Sequence, residues 1–127
     1  MKPSPGHAPS QCQRANQVIS LVGDKWSVQV VMLLGGGKMR FSDIKRAVDG
    51  VSQKMLTTTL RGLERDGYVK RTVYPTIPPK VEYELTVLGQ ELLVPLSALG
   101  AWALENYDRV LQARTNYDAR GANEAAE

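Results

Sequence analysis

The sequence predicts a mainly α-helical domain carrying one small β-hairpin, and three observations carry that prediction. Between Val51 and Tyr68, Leu56, Leu60 and Leu63 recur at i, i+4 and i+7, the repeat of a single helix face. Beyond Gly67 the repeat changes to alternation, in VKRTVY at 69–74 and VEYELT at 81–86, which is the signature of two short strands. After Thr86 helical spacing returns and apolar residues follow it as far as Leu111. A chain of 127 residues is expected to form one domain.

Taken in order, residues 1–11 are rich in Pro, Gly and Ser and are expected to form a disordered arm ahead of the domain, 12–116. Gln13 to Leu21 carry a short helical pattern that Gly23 breaks. Asp24 then caps a second helix in which Trp26, Val30, Leu33 and Leu34 face inward, so Trp26 is expected in the core rather than on a ligand. Gly35, Gly36 and Gly37 end that helix. Phe41 is an apolar anchor, and Ser42 is expected to cap a short helix holding Ile44, Ala47 and Val48 inward. Asp49-Gly50 makes a tight turn. The next helix has Ser52 as its N-cap, Val51 and Leu56 as a hydrophobic staple, and Gly67 as the residue that ends it in a left-handed conformation. Pro75, Pro78 and Pro79 stiffen the loop between the strands and leave Lys80 at its edge. Thr86 caps the following helix, which Pro95 is expected to end or kink. Residues 117–127, rich in Ala, Gly and Glu, are expected to be a flexible tail.

The helix at 52–66 has two chemically opposite faces. Away from the leucines lie Lys54, Thr58, Arg61 and Arg65, with Thr57 to one side and Ser52 and Gln53 in the first turn. Lys and Arg neutralise phosphates, and Arg, Gln and Thr can read base edges in a major groove. The charge map points the same way. Residues 38–80 hold ten basic and four acidic side chains, a net of +6, whereas residues 81–127 hold three basic and eight acidic, a net of −5. Such polarity suits a nucleic-acid face backed by a different kind of surface. Two helices joined by a Gly-containing turn, the second basic on its outer face, form a helix-turn-helix, and a hairpin directly after it is a wing. Leu96, Leu99, Trp102, Ala103, Tyr107 and Val110 make an apolar stripe that a small core has little left to cover. Two copies could cover each other's stripe about a twofold axis, which assigns dimerisation to the helices at about 87–114, with docking of the stripe onto its own domain as the alternative.

These pieces together resemble the HxlR-type winged helix-turn-helix transcriptional regulators, which are related to the MarR group. The resemblance rests on Cys12, GDKW at 23–26, RFSDIKR at 40–46, SQKMLTTTLRGLERDGYVKR at 52–71, YPTIPPKVEYELTVLG at 74–89 and the helix bearing Pro95, Leu99 and Trp102. It covers about residues 12–112. It implies a winged helix with N- and C-terminal dimerisation helices, and a bacterial homodimer that binds a palindromic operator on double-stranded DNA. Ser52, Gln53, Lys54, Thr57, Thr58 and Arg61 match the family's recognition helix, and Arg40 and Lys80 become candidate backbone contacts. A cysteine at the position of Cys12 implies sensing of oxidants or electrophiles. A thiol near a helix N-terminus is suited to that chemistry, though a small buried residue without a sensing role is the alternative.

Nothing coherent for catalysis is present. The single histidine, His7, lies in the arm, so neither a Ser-His-Asp arrangement nor a Cys/His metal cluster is expected in the folded part, and no cofactor or metal is implied. Gly35-Gly36-Gly37 lacks the Lys-Ser/Thr ending of a phosphate loop. One cysteine excludes an intrachain disulfide, and no run of eighteen apolar residues occurs; a cytoplasmic protein that does not enter a membrane is the expectation. The alternative function is a winged helix that docks a protein and has no DNA role.

Overall fold

The computed structural model describes residues 10–126. The described chain divides between Leu93 and Val94 into two compact units. The first is the winged helix. It runs α1 (Gln11–Ile19), a 3-10 turn (Ser20–Gly23), α2 (Lys25–Leu34), β1 (Met39–Arg40), α3 (Phe41–Ala47), α4 (Gln53–Arg65), β2 (Val69–Tyr74), β3 (Lys80–Leu85) and the beginning of α5 (Val87–Ala126). The second unit is the remainder of α5.

Most boundaries are set by side chains that the sequence marks. Asp24 accepts a hydrogen bond from the Trp26 N–H and another from the Ser27 hydroxyl, so it caps α2 and holds the buried Ser27. Ser52 Oγ accepts from the Met55 N–H at 3.1 Å and caps α4. Gly67, at φ +85°, closes α4: its N–H donates to the Glu64 carbonyl while the Tyr68 N–H reaches the Leu63 carbonyl. Thr86 Oγ1 accepts from the Gly89 N–H at the start of α5 and donates to the Gly67 carbonyl, which ties that helix to the end of α4.

The core lies between α2, α3, α4 and the sheet. Val30, Val31, Leu34, Ile44, Leu56, Leu60 and Leu63 are the largest fully buried side chains. Each contributes roughly 1.5–3 kcal/mol by leaving water. The helix-facing side of the sheet adds Val69, Tyr83 and Leu85. Gly89 is required by packing, because a Cβ there would overlap the Tyr68 carbonyl oxygen. Trp26 is half-buried, with the Lys25 ammonium 4.6 Å from its ring centroid.

Several expectations are corrected. The sheet has three strands, in the order β1-β3-β2, because Met39 and Arg40 pair with Tyr83 and Glu82. Ser42 does not cap α3. The helix starts two residues earlier, at Phe41, and Arg40, held extended by its pairing with β3, occupies the N-cap without a side-chain bond. Of the two outcomes expected at Pro95, an end to the helix is excluded, because α5 continues on both sides of it. The segment expected as a loose tail is helical through Ala126, since it contains no proline and a single Gly121 is too small a penalty to break an alanine-rich helix. At the other end, Ser10 and Gln13 form a capping box, so Ser10 caps α1 and Gln11 begins it, where both were expected in the arm. Residues 1–9, including His7, and Glu127 lie outside the described residues.

Against the expectation from the sequence, one stretch within Val87–Glu124 is long and apolar enough by composition to cross a membrane. Its beginning is folded against the winged helix through Gly89 and Leu93, which approach Tyr68 and Gly35.

Candidate nucleic-acid interface

The candidate face is built by α4. Its leucines and the buried Thr59 point into the core, which fixes the rotation of the helix and leaves Gln53, Lys54, Thr58, Arg61 and Arg65 exposed. Ser52 is exposed at the cap, and Thr57 is half-buried on the side nearer the wing. Among the described residues no carboxylate lies within 4.0 Å of Lys54, Arg61 or Arg65, so their charge is available to an incoming anion.

The hydroxyls are less free than the sequence suggests. Thr57 donates its hydroxyl hydrogen to the Gln53 carbonyl at 2.8 Å, and Thr58 to the Lys54 carbonyl at 3.0 Å. Each therefore offers a ligand its oxygen lone pairs and its methyl group. Ser52 is the reverse: its oxygen accepts the cap bond, and its hydrogen remains to be donated.

Arg40 and Lys80 share a groove of about 570 Å³ with Phe41, Ser42 and the wing loop at 76–79. Arg40 is exposed. Lys80 is half-buried, its ammonium 2.7 Å from the Glu82 carboxylate and 5.0 Å from the centroid of the Tyr74 ring. The hydrogen bond and charge of Lys80, with Lys38 and Arg40 further off, hold the Glu82 carboxyl below the usual range. The lysine that the sequence places at the wing is thus already paired.

One cation was missed by sequence reasoning. Arg71, exposed on β2, lines a second groove of about 380 Å³ with Gln53, Thr57, Arg61 and Glu64 of α4 and with Phe41, Val81 and Tyr83. The alternation of VKRTVY contains the signal. It puts Arg71 on the same side of the strand as the buried Val69, and that side faces α4.

Two further groups belong to other elements. Cys12 is exposed in the first turn of α1, a helix with no buried residue. In the second unit, Leu99, Trp102, Ala103, Tyr107 and Val110 are exposed along α5, with Trp102 at 57% and Tyr107 at 58% of full exposure, while Leu96 is buried. No group of His, Cys, Asp and Glu suited to a metal ion occurs among the described residues.

A family model described as HxlR-like helix-turn-helix matches residues 21–111. The uncharacterized HTH-type transcriptional regulator YtfH of Escherichia coli strain K12 is 41% identical over 104 residues, 82% of either chain. Among solved structures, YtfH of Salmonella typhimurium, a candidate transcriptional regulator, superposes with a TM-score of 0.74 at 39% identity, over 84% of this chain and 95% of that one. The redox regulator HypR in its reduced form superposes with a TM-score of 0.73 at 37% identity, over 79% of this chain and 98% of that one.

Proposed function

The chain belongs to the HxlR-like helix-turn-helix family of transcriptional regulators, which are not enzymes, and from that membership we propose that it binds double-stranded DNA as a homodimer and regulates transcription from a palindromic operator in the cytoplasm. The observation that carries this reading is the outer face of α4, where Lys54, Arg61 and Arg65, with no carboxylate within 4.0 Å among the described residues, lie on one helix with Gln53 and Thr58. A helix of this kind enters a major groove and supplies phosphate contacts for position and polar contacts for sequence. The exposed apolar side chains of α5 are the surface for the second copy. Symmetry about that surface presents two α4 helices to successive major grooves, one helical turn apart. Ser52, Gln53, Lys54, Thr57, Thr58, Arg61 and Arg65 make the recognition set, and Arg40 stands beside it for the backbone.

Cys12 gives this regulator an oxidant- or electrophile-responsive input. The support is its exposure in the first turn of α1 and the likeness to HypR. Treatment with an oxidant or quinone changes operator affinity in the wild type, and Cys12→Ser removes the change. An equal response in both proteins takes Cys12 out of the account.

The test of the main reading is footprinting on the promoter beside the chain's own gene. Two protected major-groove patches one turn apart are expected. Capture of a single stoichiometric protein partner, with no retention on any duplex, would instead favour a docking module.

A further inference from the structure

The wing carries three cations, Lys70, Arg71 and Lys80, and they are not equivalent. Lys80 is held by Glu82 at 2.7 Å and lies over the Tyr74 ring. Arg71 has no carboxylate within 4.0 Å among the described residues. It stands on the helix-facing side of β2, in the groove of about 380 Å³ that Gln53, Thr57, Arg61 and Glu64 also line. Phe41, Val81 and Tyr83 complete that lining. Arg61 and Arg71 against the one carboxylate of Glu64 leave the described lining of this groove with a net positive charge. An anion seated between the two guanidinium groups is favoured there, and Arg offers a planar fork that matches a phosphate's oxygens. The Thr57 oxygen is no donor to that anion, because its hydrogen is committed to the Gln53 carbonyl. The Gln53 side-chain amide and the Tyr83 hydroxyl are the neutral donors among the described residues that line the groove.

We propose that this groove seats a phosphate of the DNA backbone between Arg61 and Arg71, so that Arg71, and not Lys80, is the wing's phosphate-binding residue. The inference rests on the DNA-binding reading above and adds a path for one strand between α4 and the inner side of the wing. Arg71 acts on position and not on sequence, because a phosphate carries no base information.

The experiment is a fluorescence titration of the full chain with its promoter duplex and with an unrelated duplex, across a series of salt concentrations. Wild type, Arg71→Ala, Arg71→Lys and Lys80→Ala are compared. Loss of one phosphate contact per protomer lowers the slope of log affinity against log salt by about 1.8 for a dimer. The advantage of wild type over Arg71→Ala then shrinks roughly tenfold between about 50 and about 200 mM salt. Arg71→Ala loses affinity equally on both duplexes, Arg71→Lys keeps the wild-type slope, and Lys80→Ala keeps it too. A wild-type slope in Arg71→Ala overturns the proposal, as does a larger change in Lys80→Ala. Weakened binding that Arg71→Lys fails to restore would mean that the arginine only shapes the wing, and also overturns it. The two readings separate cleanly: a wild type that binds no duplex at low salt removes DNA binding itself, whereas salt-dependent wild-type binding with an unaltered Arg71→Ala slope removes only the phosphate seat.

Discussion

At the scale of single residues, charge and space decide more than residue type. Lys80 and Arg71 are both basic and both on the wing, yet one is neutralised by a neighbour and the other is not. The sequence shows the basic residues but not their partners. Its alternation held Arg71's side of the strand, though without any sign of what lay opposite. Glu82 gives a test. Its folded pKa is depressed below the ordinary 4.5, chiefly by the hydrogen bond from Lys80. The pairing therefore stabilises the folded state in full above that ordinary value and is lost as pH falls through the lower folded value. The difference in thermal stability between wild type and Glu82→Gln is expected near neutrality and should vanish on acidification; a difference that grows toward low pH contradicts the assignment. Gly89 gives a second test. Gly89→Ala drives a methyl group into the Tyr68 carbonyl, and should destabilise the fold by about 1–3 kcal/mol in denaturant titration. An unchanged midpoint would mean that α5 does not dock closely there.

At the scale of elements, α4 was the most legible part of the chain, because its cap, its leucine repeat and its closing glycine all specify the same helix. Leu60→Ala is expected to cost about 2–5 kcal/mol, since the side chain is 1% exposed and its removal leaves a cavity. Ser52→Ala should cost about 0.5–2 kcal/mol by stripping the cap from the Met55 N–H. Chemical denaturation measures both, and a smaller loss for Leu60→Ala than for Ser52→Ala would invert the account of what holds this helix. The misread elements have physical reasons. β1 is two residues long, too short for any alternation to register, and it exists because β3 offers it an edge. Ser42 looked like a cap by residue type, but the extended backbone that a cap needs falls at Arg40. The end of α5 looks loose by its local composition, yet it continues a long helix whose extension adds one hydrogen bond per residue.

At the scale of the whole molecule, the chain separates its labours. Basic side chains gather on the winged helix, and acidic ones with exposed apolar groups gather along α5. The stripe of the second unit was legible as a repeat of apolar residues. The burial of Leu96 was not, because spacing alone cannot tell an interior position from an exposed one on the same stripe. Trp102→Asp places a charge in the middle of the surface assigned to the second copy. It is expected to yield monomers in sedimentation analysis, with the helical signal of the winged helix retained; a dimer that survives the substitution relocates the interface. The same variant should bind DNA far more weakly, because one α4 alone reads one half-site.

The most direct measurement is a fluorescence anisotropy titration of the promoter duplex with wild type and Arg61→Ala at two salt concentrations. Wild type is expected to bind with an affinity that weakens steeply with salt, and Arg61→Ala to lose about 1–3 kcal/mol. Binding that is indifferent to both salt and Arg61 would contradict the claim that the outer face of α4 meets DNA.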